Sequence, residues 1–213
     1  MSYRNQNQLK LDNISISHNT RKIVFVDETI KNSEVLTIVG DQNCGKSALL
    51  AFIAGFLPND FAATGGIFLN HANIAQLAPH KRRLGCLYRS PLLFPYLSVE
   101  GNLKVNMSKA EKNSNEIIWQ ALEAFKLDKV RRFGPESLSK EQKFKVALLK
   151  VLLAKPQAVL LDEPFSIFEG QRRINMKEFL FQQLTAANLP SILVTHEPAD
   201  APDSSQKLIH LCS

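Results

Sequence analysis

Apolar residues follow two different rhythms along this chain. Four short runs are apolar without alternation: Val35–Val39, Leu84–Tyr88, Ala158–Asp162 and Ser191–Thr195. Unbroken apolarity over so few residues fits strands of a parallel sheet covered by helices on both faces. Leu9–Ile16 and Ile23–Ile30 alternate instead, which predicts an antiparallel edge layer. Helical spacing occupies most of the rest. Ala48–Leu57 is apolar and stops at Pro58. Glu116–Leu127 puts Ile117, Ala121, Leu122 and Phe125 on one face. Ser139, with Gln142 three residues on, predicts a capped helix start that runs to Ala154, before Pro156. Residues 172–189 form one more helix. Between Tyr88 and Ala158 there are only helical patterns.

The predicted fold is therefore α/β, with a mainly parallel sheet, an N-terminal antiparallel β layer and an inserted helical subdomain. One domain spans 1–213, with its core in 1–89 and 156–213 and the helical subdomain in 90–155. A chain of 213 residues is long enough for one sizeable core with such an insertion. No stretch of about 18 apolar residues exists, so no membrane span is expected. The polar start Met1–Gln6 is not followed by an apolar segment, which argues against a secretory leader. Cys44, Cys86 and Cys212 are an odd and sparse set that predicts neither a disulfide framework nor a zinc site, and fits a reducing cytosol. The net charge of +6 is dispersed over Lys81–Arg83, Arg131-Arg132, Lys140–Lys150 and Arg172-Arg173, the pattern of a solvated surface. No aromatic interleaving marks a nucleic-acid groove, so no nucleic acid is expected.

Two motifs carry chemistry. Gly40-Asp41-Gln42-Asn43-Cys44-Gly45-Lys46-Ser47 lies between a predicted strand and a helix opening at Ala48. In that setting successive backbone N–H groups converge on phosphate oxygens, and the helix N-terminus adds partial positive charge. Lys46 is placed to reach the β- and γ-phosphates, and the Ser47 hydroxyl to bind Mg²⁺. Cys44 contributes a small side chain and its backbone N–H. The second motif, Leu160-Leu161-Asp162-Glu163-Pro164, ends a buried strand with two carboxylates. Ligands of parallel sheets bind at the carboxyl ends of strands. Asp162 is the candidate Mg²⁺ holder, and Glu163 the residue that orients or deprotonates attacking water. His196 ends the next strand, where it can sense a γ-phosphate by hydrogen bonding.

Together these residues resemble the nucleotide-binding domain of ABC transporters over about Leu9–Ala201, and most closely the small importer-type ATP-binding subunits. Phosphate loop, acidic strand end and switch histidine occur in the family's order. Leu92–Leu103 is similar to the segment where the family's helical lobe begins. The resemblance implies ATP and Mg²⁺ as ligands, with Gly40–Ala48, Ser139 and Gln142 binding nucleotide, Ser47 and Asp162 holding the metal, and Glu163 and His196 catalytic. It further implies transmembrane permease subunits as partners. A homodimer or a heterodimer with another ATP-binding subunit, a substrate-binding protein, and a place on the inner face of the cell membrane follow in the same way.

Some positions depart from the family pattern. The Leu-Ser-Gly-Gly-Gln signature reads Leu138-Ser139-Lys140-Glu141-Gln142, with bulk and a negative charge where glycines approach phosphate. Arg89 stands where a glutamine contacts the metal, and it cannot accept a hydrogen bond. Glu169 replaces an aspartate of the dimer seam, and Asn43 a glycine. His18 is the candidate for the ring that stacks on adenine. These departures predict slow hydrolysis as a homodimer, and leave a catalytically impaired regulatory or interaction module as the alternative to a transport ATPase.

Overall fold

The computed structural model describes residues 7–19, 21–107, 113–203 and 207–211. Cys212 and the Met1–Gln6 segment considered above lie outside these residues. The chain divides into two compact units, Met1–Cys86 with Gln157–Ser213, and Leu87–Pro156.

In the first unit, β1 (Leu9–His18) and β2 (Arg21–Ile30) pair antiparallel, as the alternation predicts. β3 (Val35–Val39), β6 (Leu84–Tyr88), β7 (Ala158–Asp162) and β8 (Ser191–Thr195) match the four apolar runs residue for residue. They lie in a five-stranded sheet of order β6-β7-β8-β3-β9, where β9 is Leu208–His210. The β7–β8, β8–β3 and β3–β9 pairs are parallel. A second sheet has the order β2-β1-β4-β5, with β4 at Phe61–Leu69 and β5 at Ala72–Asn73. α1 (Lys46–Ala54) and α5 (Gly170–Ala186) complete the unit's regular helices. Its core joins the inward faces of β1, β2 and β4 to α1 and the central strands, with Leu9, Ile14, Ile38, Leu49, Ile53, Ile67 and Ile192 fully buried. Burying side chains of this size stabilises by about 1.5–3 kcal/mol each.

Two helices differ from expectation, one at its end and one in its buried face. α1 starts at Lys46 and stops at Ala54, three residues short of Leu57. Gly55 adopts φ 91° and turns the chain left-handed, ending the helix before Pro58 can. The face of α3 (Ser114–Ala124) is also rotated from the predicted one. Ile118 and Leu122 are buried while Ile117 is only half-buried, because the stripe runs 118, 122 and 125.

The second unit is helical, with α2 (Val99–Lys104), α3 and α4 (Lys140–Leu153). Val99, Leu103, Ile118, Leu122, Phe125 and Phe144 are buried. The buried amide of Asn102 holds the segment leading into α2: it accepts from Phe94 N at 2.7 Å and donates to the carbonyls of Phe94, Leu97 and Ser98. Among the described residues, no helix is long and apolar enough to cross a membrane.

Arg82 pins α1 from its far end. Its guanidinium donates to the carbonyls of Leu77 (2.8 Å), Phe52 and Ile53 (both 2.7 Å) and Ala75 (2.6 Å), and the residue is buried. Burial pushes its pKa down, and the C-terminal dipole of α1 favours a cation at this place. Arg82→Met should leave these carbonyls without their donor and cost about 3 kcal/mol. That is a fall of roughly 6–12 °C in the unfolding midpoint of a chain this size. Arg82→Lys should recover less than half of the loss, since one ammonium cannot span the fork. Thermal unfolding of both variants checks this.

Candidate nucleotide site

The topology brings the two motifs together. β8 lies between β7 and β3, with Asp162 in register with Val194 and Val39 with Thr195. All three strands run the same way, so their carboxyl ends open on one edge. Glu163 follows β7, His196 follows β8 and Gly40 follows β3. Glu163 N donates to the Val194 carbonyl at 3.0 Å and Gly40 N to the Thr195 carbonyl at 3.4 Å, locking the three exits in register.

The loop 40–47 depends on its glycines. Gly45 has φ 96°, and a Cβ there would lie 2.5 Å from Val24 Cγ2. At Gly40 a Cβ would lie 2.6 Å from Cys44 Sγ and 2.9 Å from the Leu211 carbonyl oxygen. Asn43 takes φ 65°, the left-handed conformation that asparagine accepts better than most residues. Alternation of left- and right-handed residues turns successive N–H groups toward one concavity. No side chain caps α1 and its first turn holds no acidic residue, so its N-terminal amides suit an outside anion.

Lys46 is 5% exposed. Its ammonium donates to the carbonyls of Gly40 (2.6 Å) and Asp41 (2.7 Å) and contacts Cys44 Sγ at 3.7 Å. Nδ1 of His196 lies 3.2 Å from the same ammonium and 3.0 Å from the Gly40 carbonyl oxygen. Nε2 of His196 meets the Glu163 carboxylate. In the Nε2–H tautomer the ring donates to Glu163 and Nδ1 accepts from Lys46, while the Gly40 carbonyl is served by the Lys46 ammonium rather than by the ring. The structure thus joins Gly40, Asp41, Cys44, Lys46, Glu163 and His196 in one network. Gln42 and Asn43 are exposed at the loop's tip, Ser47 is exposed in the first turn of α1, and Ala48 is buried behind it.

Asp162 is half-buried at the end of β7. Burial pushes its carboxyl pKa up, Glu163's charge pushes the same way, and Lys46 and His196 act against them. A carboxylate held at this disadvantage is relieved by a cation. Among the described residues no three His, Cys, Asp or Glu side chains cluster as an all-protein metal cage. A carboxylate and a hydroxyl beside phosphate oxygens are instead the hard, sparse donor set that suits Mg²⁺.

Ser139, Gln142 and Arg89 belong to the second unit. Ser139 caps α4: its hydroxyl accepts from Gln142 N at 3.2 Å while the Gln142 side chain accepts from Ser139 N at 2.8 Å, the reciprocal cap predicted for this pair. The Ser139 hydroxyl also donates to Glu141 at 2.9 Å. Arg89 is exposed. His18 stacks on Phe61 with ring centroids 4.7 Å apart and pairs with Asp60 at 3.4 Å.

A phosphate loop after one strand of a parallel sheet, opposed by carboxylates at the end of the next strand but one, defines a P-loop nucleotide-binding core. Comparison with known proteins narrows the class. The profile of the ABC transporter family matches residues 24–166. The uncharacterized ABC transporter ATP-binding protein YnjD of Escherichia coli (strain K12) is 35% identical over 191 residues, covering 89% of this chain and 88% of that protein. The thiamine import ATP-binding protein ThiQ of Haemophilus influenzae (strain 86-028NP) is 34% identical, covering 93% of this chain and 92% of that protein. The spermidine/putrescine import ATP-binding protein PotA of Legionella pneumophila (strain Paris) is 32% identical, covering 90% of this chain and 52% of that protein. The chain belongs to the ABC transporter family, as one of its ATP-binding subunits. Nothing in these likenesses favours a catalytically impaired module.

Sequence reasoning missed the residues that hold the site from behind. Arg173 on α5 forms a two-bond pair with Asp200, and Asp200 accepts from Thr195, next to His196. The signal available was an acidic residue shortly after a strand end and a basic one in the preceding helix, too common to single out. The left-handed backbone of Glu163, at φ 46°, was equally illegible.

The raised pKa of Asp162 fixes the sign of a pH effect. The folded chain holds this proton more tightly than the unfolded chain does. The stability it contributes is therefore complete below the ordinary carboxylate range, and is lost as pH rises through the raised value. At neutral pH the ionised group is a liability, and Asp162→Asn should raise the ligand-free midpoint by about 2 °C. Below pH of about 4 the gain should vanish. Thermal scans of both chains across pH check it.

Proposed function

We propose that this chain is the MgATP-hydrolysing subunit of an ABC importer. The observation that carries the reading is the network joining Lys46, His196 and Glu163 at the exits of three adjacent parallel strands. The amides of Gly40–Ala48 and the Lys46 ammonium bind the triphosphate. Ser47 and Asp162 hold Mg²⁺, which when bound neutralises charge on the phosphate oxygens. Glu163 takes or orients the proton of the attacking water, and His196 orients Glu163 while it reads the γ-phosphate.

The unit Leu87–Pro156 serves as the helical subdomain, with Ser139 and Gln142 presented to nucleotide on a second subunit, either another copy or a different ATP-binding chain. Its 92–103 segment, held by Asn102, faces the transmembrane permease subunits. A substrate-binding protein delivers cargo on the opposite side, and this subunit lies peripherally on the inner face of the membrane. Relatives named for thiamine and for spermidine/putrescine import match about nine-tenths of this chain, which supports a common energy-coupling role with cargo chosen elsewhere.

Calorimetry and thermal shift with MgATP test the reading. Saturating nucleotide at about 100 times Kd should stabilise the chain by about 2.7 kcal/mol, roughly 5–10 °C. Lys46→Ala should lose that shift. Glu163→Gln should keep it while turnover falls about 100-fold or more. Absence of any saturable MgATP affinity in the unmodified chain would overturn the proposal.

A further inference from the structure

His196 stands on a turn that is otherwise poorly anchored. Residues 196–199 are all exposed, and the strand that fixes the backbone ends at Thr195. Yet both ring nitrogens of His196 are committed, one toward Lys46 and one toward Glu163. Something must hold the ring's orientation from below.

The structure shows what does so. Thr195 is 2% exposed, and its hydroxyl donates to Asp200 Oδ2 at 2.6 Å while accepting from Glu197 N at 3.1 Å. Asp200 is itself 2% exposed and accepts two bonds from Arg173, at 2.7 and 2.8 Å. One helical turn along α5, Lys177 donates to the carbonyls of Ala199 (3.1 Å) and Ala201 (3.3 Å). α5 therefore grips the far end of the turn that bears His196 directly, and its near end through Asp200 and the Thr195 hydroxyl. The same helix begins at Gly170, a few residues after Glu163, whose carbonyl accepts from Ser166 Oγ at 2.8 Å. His196 is thus tied to α5 through the turn, and Glu163 enters the same helix through the short segment that follows it.

We propose that Thr195, Asp200 and Arg173 form a positioning brace that sets the His196 ring against Glu163 and Lys46. None of the three touches nucleotide; they act through His196. A largely buried ion pair is a weak source of stability, because desolvation offsets much of its attraction, and in some proteins it serves instead to fix one geometry. That is the behaviour required beneath a ring that must hold one tautomer and one angle. Misplacement by about 1 Å can cost about 100-fold in rate, whereas an apolar pair of similar volume need not cost stability.

This inference rests on the function proposed above, and its test separates the two. Four full-length chains are compared: the unmodified protein, Thr195→Val, Thr195→Ser, and the double variant Arg173→Met with Asp200→Leu. Steady-state hydrolysis of MgATP, thermal midpoint and the ¹⁵N signals of the His196 imidazole are measured on each. Thr195→Val should lower kcat about 10-fold with KM within twofold, and its imidazole signals should shift from a single Nε2–H tautomer toward an average of both. Thr195→Ser should restore both readouts. The double variant should keep or raise its midpoint while kcat still falls. Unchanged imidazole signals in Thr195→Val overturn the brace, as does a kcat loss that Thr195→Ser fails to rescue. Lack of turnover by the unmodified protein overturns the proposed function instead, and the imidazole signals still decide the brace.

Discussion

A buried ammonium cannot be left without oxygen partners, and much of this molecule's first unit is arranged around that requirement. Lys46 sits at the first position of α1 with 5% of its surface exposed. Removing such a charge from water costs several kcal/mol unless oxygen atoms replace the lost hydration. Here the carbonyls of Gly40 and Asp41 turn inward to do so. Turning carbonyls in also turns neighbouring N–H groups outward, toward the concavity where an anion binds. Cation placement and amide placement are two aspects of one loop geometry, and that geometry needs Gly40 and Gly45 because any Cβ there would overlap its surroundings.

The strand order extends the same logic. Because β8 separates β7 from β3, the residue that ends β8 must lie between whatever ends its two neighbours. His196 therefore links acid and base without any long-range adjustment. Its two ring nitrogens connect the Lys46 ammonium to the Glu163 carboxylate. The two carboxylates are unequal. Glu163 has an imidazole partner, while Asp162, buried beside it, carries the raised pKa. Unequal neighbours of one type suit the proposed division into metal holder and proton handler.

The parts of this arrangement legible from sequence were those set by local pattern. Continuous apolar runs placed β3, β6, β7 and β8 to the residue, since a short unbroken apolar run leaves a chain few alternatives, although β6 is buried only at alternate positions. The Ser139–Gln142 cap is local too, and formed as its spacing predicts. β4 escaped notice because Gly65 and Gly66 interrupt it amid alanines, and its left-handed Gly65, at φ 105°, faces a bulge in β1. β9 is three residues long and is made a strand only by β3. The end of α1 was misjudged because Gly55 acts before Pro58. The Arg173–Asp200–Thr195 contacts join residues 27 and 5 positions apart across a fold, which periodicity cannot see.

The backbone of Glu163 carries a further consequence. At φ 46° it holds a left-handed conformation that costs a branched-chain or long residue of order 1–3 kcal/mol. Glycine or asparagine would rest there more comfortably, and a neutral residue would suit Asp162's half-buried place. Two successive positions are thus occupied by side chains the fold itself would not choose. A laboratory selection for heat resistance alone would discard this acidic pair early, and the survivors would be sturdier proteins with a silent engine.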